Sequence, residues 1–125
     1  MDRFIKSKTM VFPREIIVGH NTTSQIADLC NRISTGNSAL IVADKRTRKI
    51  SGDEINKILT KANYDVKIKI ISAPTVHEVN SVIKYAHKID IDFMLGVGGG
   101  SVIDVTKLAA YELSKPFVSV PTSAS

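Results

Sequence analysis

Short apolar and β-branched blocks alternate along the chain with longer stretches of helical spacing. Blocks at Glu15 to Val18, Ala39 to Ala43, Val66 to Ile71 and Phe93 to Val97, with a fifth at Phe117 to Val120, predict strands. Ile26, Leu29, Cys30 and Ile33 recur at i, i+3, i+4 and i+7, and Ile55, Ile58, Leu59 and Ala62 repeat that spacing, which predicts two amphipathic helices. Val76, Val79, Ile83 and Ala86 mark the apolar face of a third helix, and Val105, Leu108, Ala109 and Leu113 that of a fourth. Thr22-Thr23-Ser24-Gln25 has capping-box spacing ahead of the first helix, and Pro116 closes the fourth. A β-α unit repeated four times and closed by a strand needs crossovers, which parallel neighbours make with helices. The expected fold class is therefore α/β, a Rossmann-like parallel sheet of about five strands with helices on both faces, forming one domain over residues 1–125 with no internal repeat.

Composition narrows the functional classes. With 125 residues and 43% apolar content the chain supports one core. Its longest apolar runs fall far short of the roughly 20 residues that cross a bilayer. The charged N-terminus, Met1-Asp2-Arg3-Phe4-Ile5-Lys6, lacks the apolar region of a secretory signal, so a cytoplasmic location is expected. The single cysteine, Cys30, cannot form an intrachain disulfide or a zinc-binding thiolate cluster, and its apolar neighbours Leu29 and Ile33 suggest a buried core thiol. The net charge of +5 comes from basic residues spread among acids; the tight cluster is Lys45-Arg46 with Arg48-Lys49. With little aromatic interleaving, a small polyanion accounts for that charge better than nucleic acid does. His20, His77 and His87 stand apart in sequence with no partner motif, so no metal site and no catalytic residue is assigned.

Ligands of open α/β sheets collect at the carboxyl ends of the strands. Three places there carry suitable residues: Asp44, the stretch Gly96-Val97-Gly98-Gly99-Gly100-Ser101, and Pro121-Thr122-Ser123-Ala124-Ser125. Glycines between a strand and a helix let the backbone approach a phosphate, and the helix N-terminus presents unpaired N–H groups with partial positive charge. The blander reading is a tight turn with Ser101 as N-cap, Asp104 as its capping-box partner and Lys107 as the salt-bridge partner of Asp104. The turn is neither a G-x-G-x-x-G fingerprint nor a Walker A sequence. Asp44 suits a ribose diol or, equally, a helix cap. Lys45 and Arg46 could neutralise a 2′-phosphate, but ordinary solvated charges are the reading their setting favours. Thr122, Ser123 and Ser125 offer hydroxyls to a nicotinamide amide or ribose, or form a polar tail.

At Gly98-Gly99-Gly100-Ser101-Val102-Ile103-Asp104-Val105-Thr106-Lys107 and Val120-Pro121-Thr122-Ser123-Ala124-Ser125, the chain resembles the sn-glycerol-1-phosphate dehydrogenases. These belong to the superfamily of iron-containing alcohol dehydrogenases, glycerol dehydrogenases and dehydroquinate synthases. Phe12-Pro13-Arg14-Glu15-Ile16-Ile17-Val18-Gly19 and the strand ending at Asp44 extend the resemblance over nearly the whole chain. The resemblance implies an N-terminal domain binding NAD or NADP through Gly98, Gly99, Gly100, Ser101, Val102, Ile103, Asp104 and Lys107. It also implies that Thr122, Ser123, Ala124 and Ser125 lie on the nicotinamide side and that Asp44 contacts the adenosine ribose. Family members interconvert dihydroxyacetone phosphate, a phosphorylated triose, and sn-glycerol 1-phosphate in archaeal membrane-lipid synthesis, with zinc polarising the carbonyl.

The chain departs from that family by stopping at Ser125, ahead of the substrate-contacting aspartate and of the helical domain whose aspartate and histidines hold zinc. It is therefore expected to be a fragment, inactive alone, with zinc bound only in the full-length protein. Exposed apolar surface on such a fragment would favour homo-oligomers. Competing expectations are a dehydroquinate-synthase-like lyase domain, a metal-dependent polyol dehydrogenase domain, and a non-enzymatic flavodoxin-like nucleotide-binding module.

Overall fold

The computed structural model describes residues 15–17, 25–34 and 36–122. In chain order the elements are β1 (Glu15–Ile17), α1 (Ile26–Ile33), β2 (Ser38–Ala43), α2 (Lys45–Thr47), a π-helical turn (Arg48–Gly52), α3 (Asp53–Lys61), β3 (Asp65–Ile70), α4 (Val76–Ile89), β4 (Phe93–Gly98), α5 (Gly100–Leu113) and β5 (Phe117–Pro121). Four strands of five or six residues and the three-residue edge strand β1 form one sheet in the order β1-β5-β4-β2-β3. Every neighbouring pair is parallel, as the helix-linked pattern requires. Val18 and Thr22 to Ser24 lie outside the described residues.

Side-chain alternation along the strands feeds two cores. Ala39, Ile41, Ala43, Phe93, Leu95, Val97, Val118 and Val120 pack with Ile26 and Cys30 of α1 and Ile55 and Leu59 of α3. On the opposite face Leu40, Val42, Met94 and Phe117 meet Val82 and Ala86 of α4 and Val102, Val105, Ala109 and Ala110 of α5. Strands buried on both sides read as continuous apolar runs, which is why β2 and β4 are so uniformly hydrophobic. Fully burying each of the larger side chains contributes about 1.5–3 kcal/mol.

Two helical faces differ from the sequence expectation. Leu108 is 56% exposed and Val76 is 76% exposed, so neither joins the core. The inward face of α5 is instead Val102, Val105, Thr106, Ala109 and Ala110, because small residues let this helix sit close against β4. The closest approach falls at Gly96, where a Cβ would stand 2.8 Å from Thr106 Oγ1 and 3.3 Å from a Phe117 ring carbon. Thr106 is accommodated there because its hydroxyl donates to the Val102 carbonyl at 2.7 Å. The second helical segment also begins earlier than its apolar spacing suggests: it starts at Lys45 and widens into the π turn, whose signature is the Asp53 N–H donating to the Arg48 carbonyl.

Cys30 is fully buried, and burial pushes its thiol from the ordinary 9.0 up to about 12. The fold thus holds the neutral thiol, and this contribution to stability is complete below 9.0 and lost as pH rises from there towards 12. Two outcomes are expected. Gly96→Ala lowers stability by about 1–3 kcal/mol in urea unfolding, whereas Gly100→Ala, whose Cβ meets nothing within 4 Å, does not; equal midpoints for Gly96→Ala and the parent would contradict the close packing. A thiol reagent at neutral pH modifies Cys30 only after unfolding, and the alkaline fall in stability is shallower in Cys30→Ala.

Candidate functional site

The strand order itself defines where a ligand fits. From β2 the chain crosses outward to β3, and from β4 it crosses the other way to β5, so β2 and β4 flank the topological switch point. Their ends are in register, Ala43 beside Val97, and both are followed at once by a helix start. Asp44 and the glycine turn, far apart in sequence, are thereby brought to adjacent strand ends.

Gly98 closes β4 with φ 156°, a backbone conformation that L side chains rarely adopt. A Cβ there would lie 3.0 Å from Val102 Cγ2 and 3.1 Å from Thr47 Oγ1. The Gly98 carbonyl accepts the Thr122 N–H at 3.1 Å, which ties the end of β5 to the same turn. Thr122 is 6% exposed. Ser123, Ala124 and Ser125 lie outside the described residues.

Gly99, and not Ser101, is the N-cap of α5, and no side chain caps this end. The blander alternative of a capping box on Ser101 is thus not what forms: Ser101 sits inside the helix and exposed, as does Asp104. The first helical backbone bond runs from the Ile103 N–H to the Gly99 carbonyl at 3.1 Å. The N–H groups of Gly100, Ser101 and Val102 precede it at the positive end of a 14-residue helix, the arrangement that attracts anions. The Val102 side chain is in the core and that of Ile103 packs against it, so what these two offer outward at the helix end is backbone. Lys107 lies exposed one turn beyond Asp104.

Asp44 caps α2. Its Oδ1 accepts the Thr47 N–H at 2.8 Å and the Thr47 hydroxyl at 3.0 Å, while Thr47 Oγ1 accepts the Asp44 N–H at 3.1 Å. The cap bonds involve one carboxylate oxygen, Oδ1. Thr47 was missed by the sequence reading, although Asp44-Lys45-Arg46-Thr47 has capping spacing; it is 4% exposed and links Asp44 to the wall of the Gly98 turn. Lys45 and Arg46 are exposed beside it. Among the described residues no three His, Cys, Asp or Glu side chains are placed to hold a metal ion, and no helix is long and apolar enough to cross a membrane. Among the described residues, the uncapped start of α5 is the feature suited to an anion.

Compared with models of protein families, residues 17–125 match the iron-containing alcohol dehydrogenases. The chain belongs to that family. Within it, the chain is 42% identical over 125 residues to a glycerol-1-phosphate dehydrogenase of Methanoregula boonei, covering 98% of this chain and 33% of that protein. It is 39% identical to the enzyme of the same name from Pyrococcus furiosus, covering 93% and 33%. Both names specify NAD(P)+. The chain spans about a third of the length of these curated relatives. Among solved structures, glycerol dehydrogenase from Schizosaccharomyces pombe superposes with a TM-score of 0.77 at 23% identity, over 95% of this chain and 30% of that one. NADH-dependent butanol dehydrogenase A from Thermotoga maritima gives 0.66 at 24%, over 81% and 27%. These likenesses establish the fold: the parallel α/β architecture expected from the alternating pattern is the one this family uses.

Because the Asp44 cap joins two otherwise separate turns, Asp44→Ala should cost about 1 kcal/mol, seen as a fall of about 4 °C in Tm. Asp44→Asn, which keeps an accepting oxygen, should recover most of it; an unchanged Tm in Asp44→Ala would show that the cap contributes nothing.

Proposed function

We propose that this chain is the NAD(P)-binding domain of a glycerol-1-phosphate dehydrogenase, an oxidoreductase interconverting dihydroxyacetone phosphate and sn-glycerol 1-phosphate. The observation that carries the reading is the α5 N-terminus: a 14-residue helix without a side-chain cap, starting at the switch point behind Gly98-Gly99-Gly100. A second support is the name shared by relatives at 42% and 39% identity. The backbone N–H groups of Gly100, Ser101 and Val102 bind the pyrophosphate, with Gly98 and Gly99 keeping the approach clear of side chains. Asp44 reaches the adenosine ribose, and Asp104, Lys107 and Thr122 to Ser125 border the nicotinamide half, with Ile103 holding the helix in place beneath it.

A bound NAD(P)H would supply hydride from its reduced nicotinamide to the carbonyl carbon of the triose phosphate, leaving NAD(P)+. The task of this domain is to fix the cofactor's position so that this transfer faces one side of the carbonyl. Zinc and substrate-contacting groups are assigned to the part of the protein that the longer relatives have in addition. A cytoplasmic enzyme of membrane-lipid synthesis is the setting this reading gives it.

Calorimetric titration of the chain with NADH and NADPH tests the reading. Saturable binding is expected, weakened at least about tenfold in Gly100→Val, because a branched side chain at the mouth of the turn obstructs the phosphate while Tm stays near the parent value. A chain with intact circular dichroism that binds neither nucleotide overturns the proposal.

A further inference from the structure

Next to Asp44 lies an open groove of about 750 Å³ lined by Lys45, Arg46, Arg48, Lys49, Ile50 and Ile70. It belongs to the same edge of the sheet as the glycine turn. Ile70 pairs with Ala43, Ala43 pairs with Val97, and the Ile71 N–H donates to the Ala43 carbonyl at 2.9 Å. The groove's Ile70 wall thus stands two strand spacings, about 10 Å, from the strand that ends at Gly98. That is a reach an extended adenosine diphosphate unit can span.

Two features give this groove a chemistry. The first is charge: four cations line it, and of the nearby acids Asp44 has its Oδ1 engaged by the Thr47 cap while Asp53 meets Arg48 Nε at 3.8 Å. The second is shape. The π turn at Arg48–Gly52 interrupts what would otherwise be one regular helix and leaves Arg48, Lys49 and Ile50 on the outside, with Ile50 51% exposed. An apolar surface bordered by guanidinium and ammonium groups suits a purine ring attached to a phosphorylated sugar.

We propose that this groove seats the adenosine end of a 2′-phosphorylated dinucleotide, with Arg48 and Lys49 of the π turn gripping the 2′-phosphate, so that the chain selects NADPH over NADH. The inference rests on the dinucleotide reading above and adds which form of the cofactor is preferred and which residues decide it. Arg48 supplies a planar fork to two phosphate oxygens and Lys49 a point charge. Asp44 is held apart in its own cap, where its Oδ1 accepts the Thr47 N–H and hydroxyl.

The test is calorimetric titration with NADPH and NADH, and with adenosine 2′,5′-bisphosphate against 5′-AMP, for the parent and for Arg48→Gln/Lys49→Gln. Glutamine keeps much of the aliphatic stem and removes the charge, and the exposed Arg48–Asp53 pair contributes little to folding, so Tm should hold. The parent is expected to bind NADPH at least about tenfold tighter than NADH, and the bisphosphate tighter than 5′-AMP by a similar factor. Both ratios should fall towards one in the double variant. Binding of NADH as tightly as NADPH by the parent overturns this inference and leaves the proposed function standing, and so does equal weakening of all four ligands in the variant. Absence of binding by either dinucleotide overturns both.

Discussion

The carboxyl edge of the sheet depends on one close approach of backbone, at Gly98. With φ 156° and side chains of Thr47 and Val102 within about van der Waals reach of where a Cβ would stand, this residue lets three chain segments meet. The strand ending there turns into α5, the wall beside it is the capped start of α2, and its carbonyl holds Thr122 at the end of β5. A larger residue would push these apart. The register of β2, β4 and β5 at their carboxyl ends, Ala43 beside Val97 and Gly98 beside Pro121, then brings their outgoing segments to one rim.

Two helices of equal length on the same face of the sheet show how the chain distributes its capping groups. At α4, Thr75 accepts the Glu78 N–H at 3.1 Å, while the Glu78 carboxylate accepts the Ser72 N–H at 2.8 Å and hydroxyl at 2.9 Å, bonds that draw its pKa below the usual 4.5. That end is satisfied by its own side chains, as a helix start needs when no ligand is present. At α5 the corresponding position is glycine and no side chain closes the end. The difference lies in the residues and not in helix length or face, since both helices span 14 residues and both bury one side in the same core. Ser, Asn or Asp at position 99 would close that end with a side chain, which Gly99 leaves open.

The strands were legible because burial on both faces leaves a simple signal, a short apolar run bounded by turns, and the crossover rule then fixes a parallel α/β sheet. Helix faces were less legible. Spacing alone marked Leu108 and Val76 as core, yet a helix with Ala109, Ala110 and Thr106 along its length packs by its small residues, and that choice is made by the partner strand's Gly96. The π turn left no periodic trace, because one widened turn changes phase without changing composition. At the site, the glycine turn was legible as strand, glycines, helix. Its cap was not: Ser101 has N-cap chemistry, but α5 begins one residue before it, and hydrogen-bond phase at a helix start is settled by tertiary contact.

The same edge resolves a conflict that composition alone leaves open, an acid beside a run of bases at 44–49. Spread on a regular helix, those charges would point to several sides of the surface and act as ordinary solvated groups. Here the acid is turned inward to cap α2, half-buried and bonded twice to Thr47, while the helix widens immediately afterwards and leaves the bases exposed along one groove. Capping therefore does more than satisfy two donors. By drawing one carboxylate oxygen towards its own backbone, it leaves an outer rim lined by Lys45, Arg46, Arg48 and Lys49. The positive rim and the uncapped end of α5 lie along one carboxyl edge, so an anionic ligand extended across the switch point would meet favourable potential along its length.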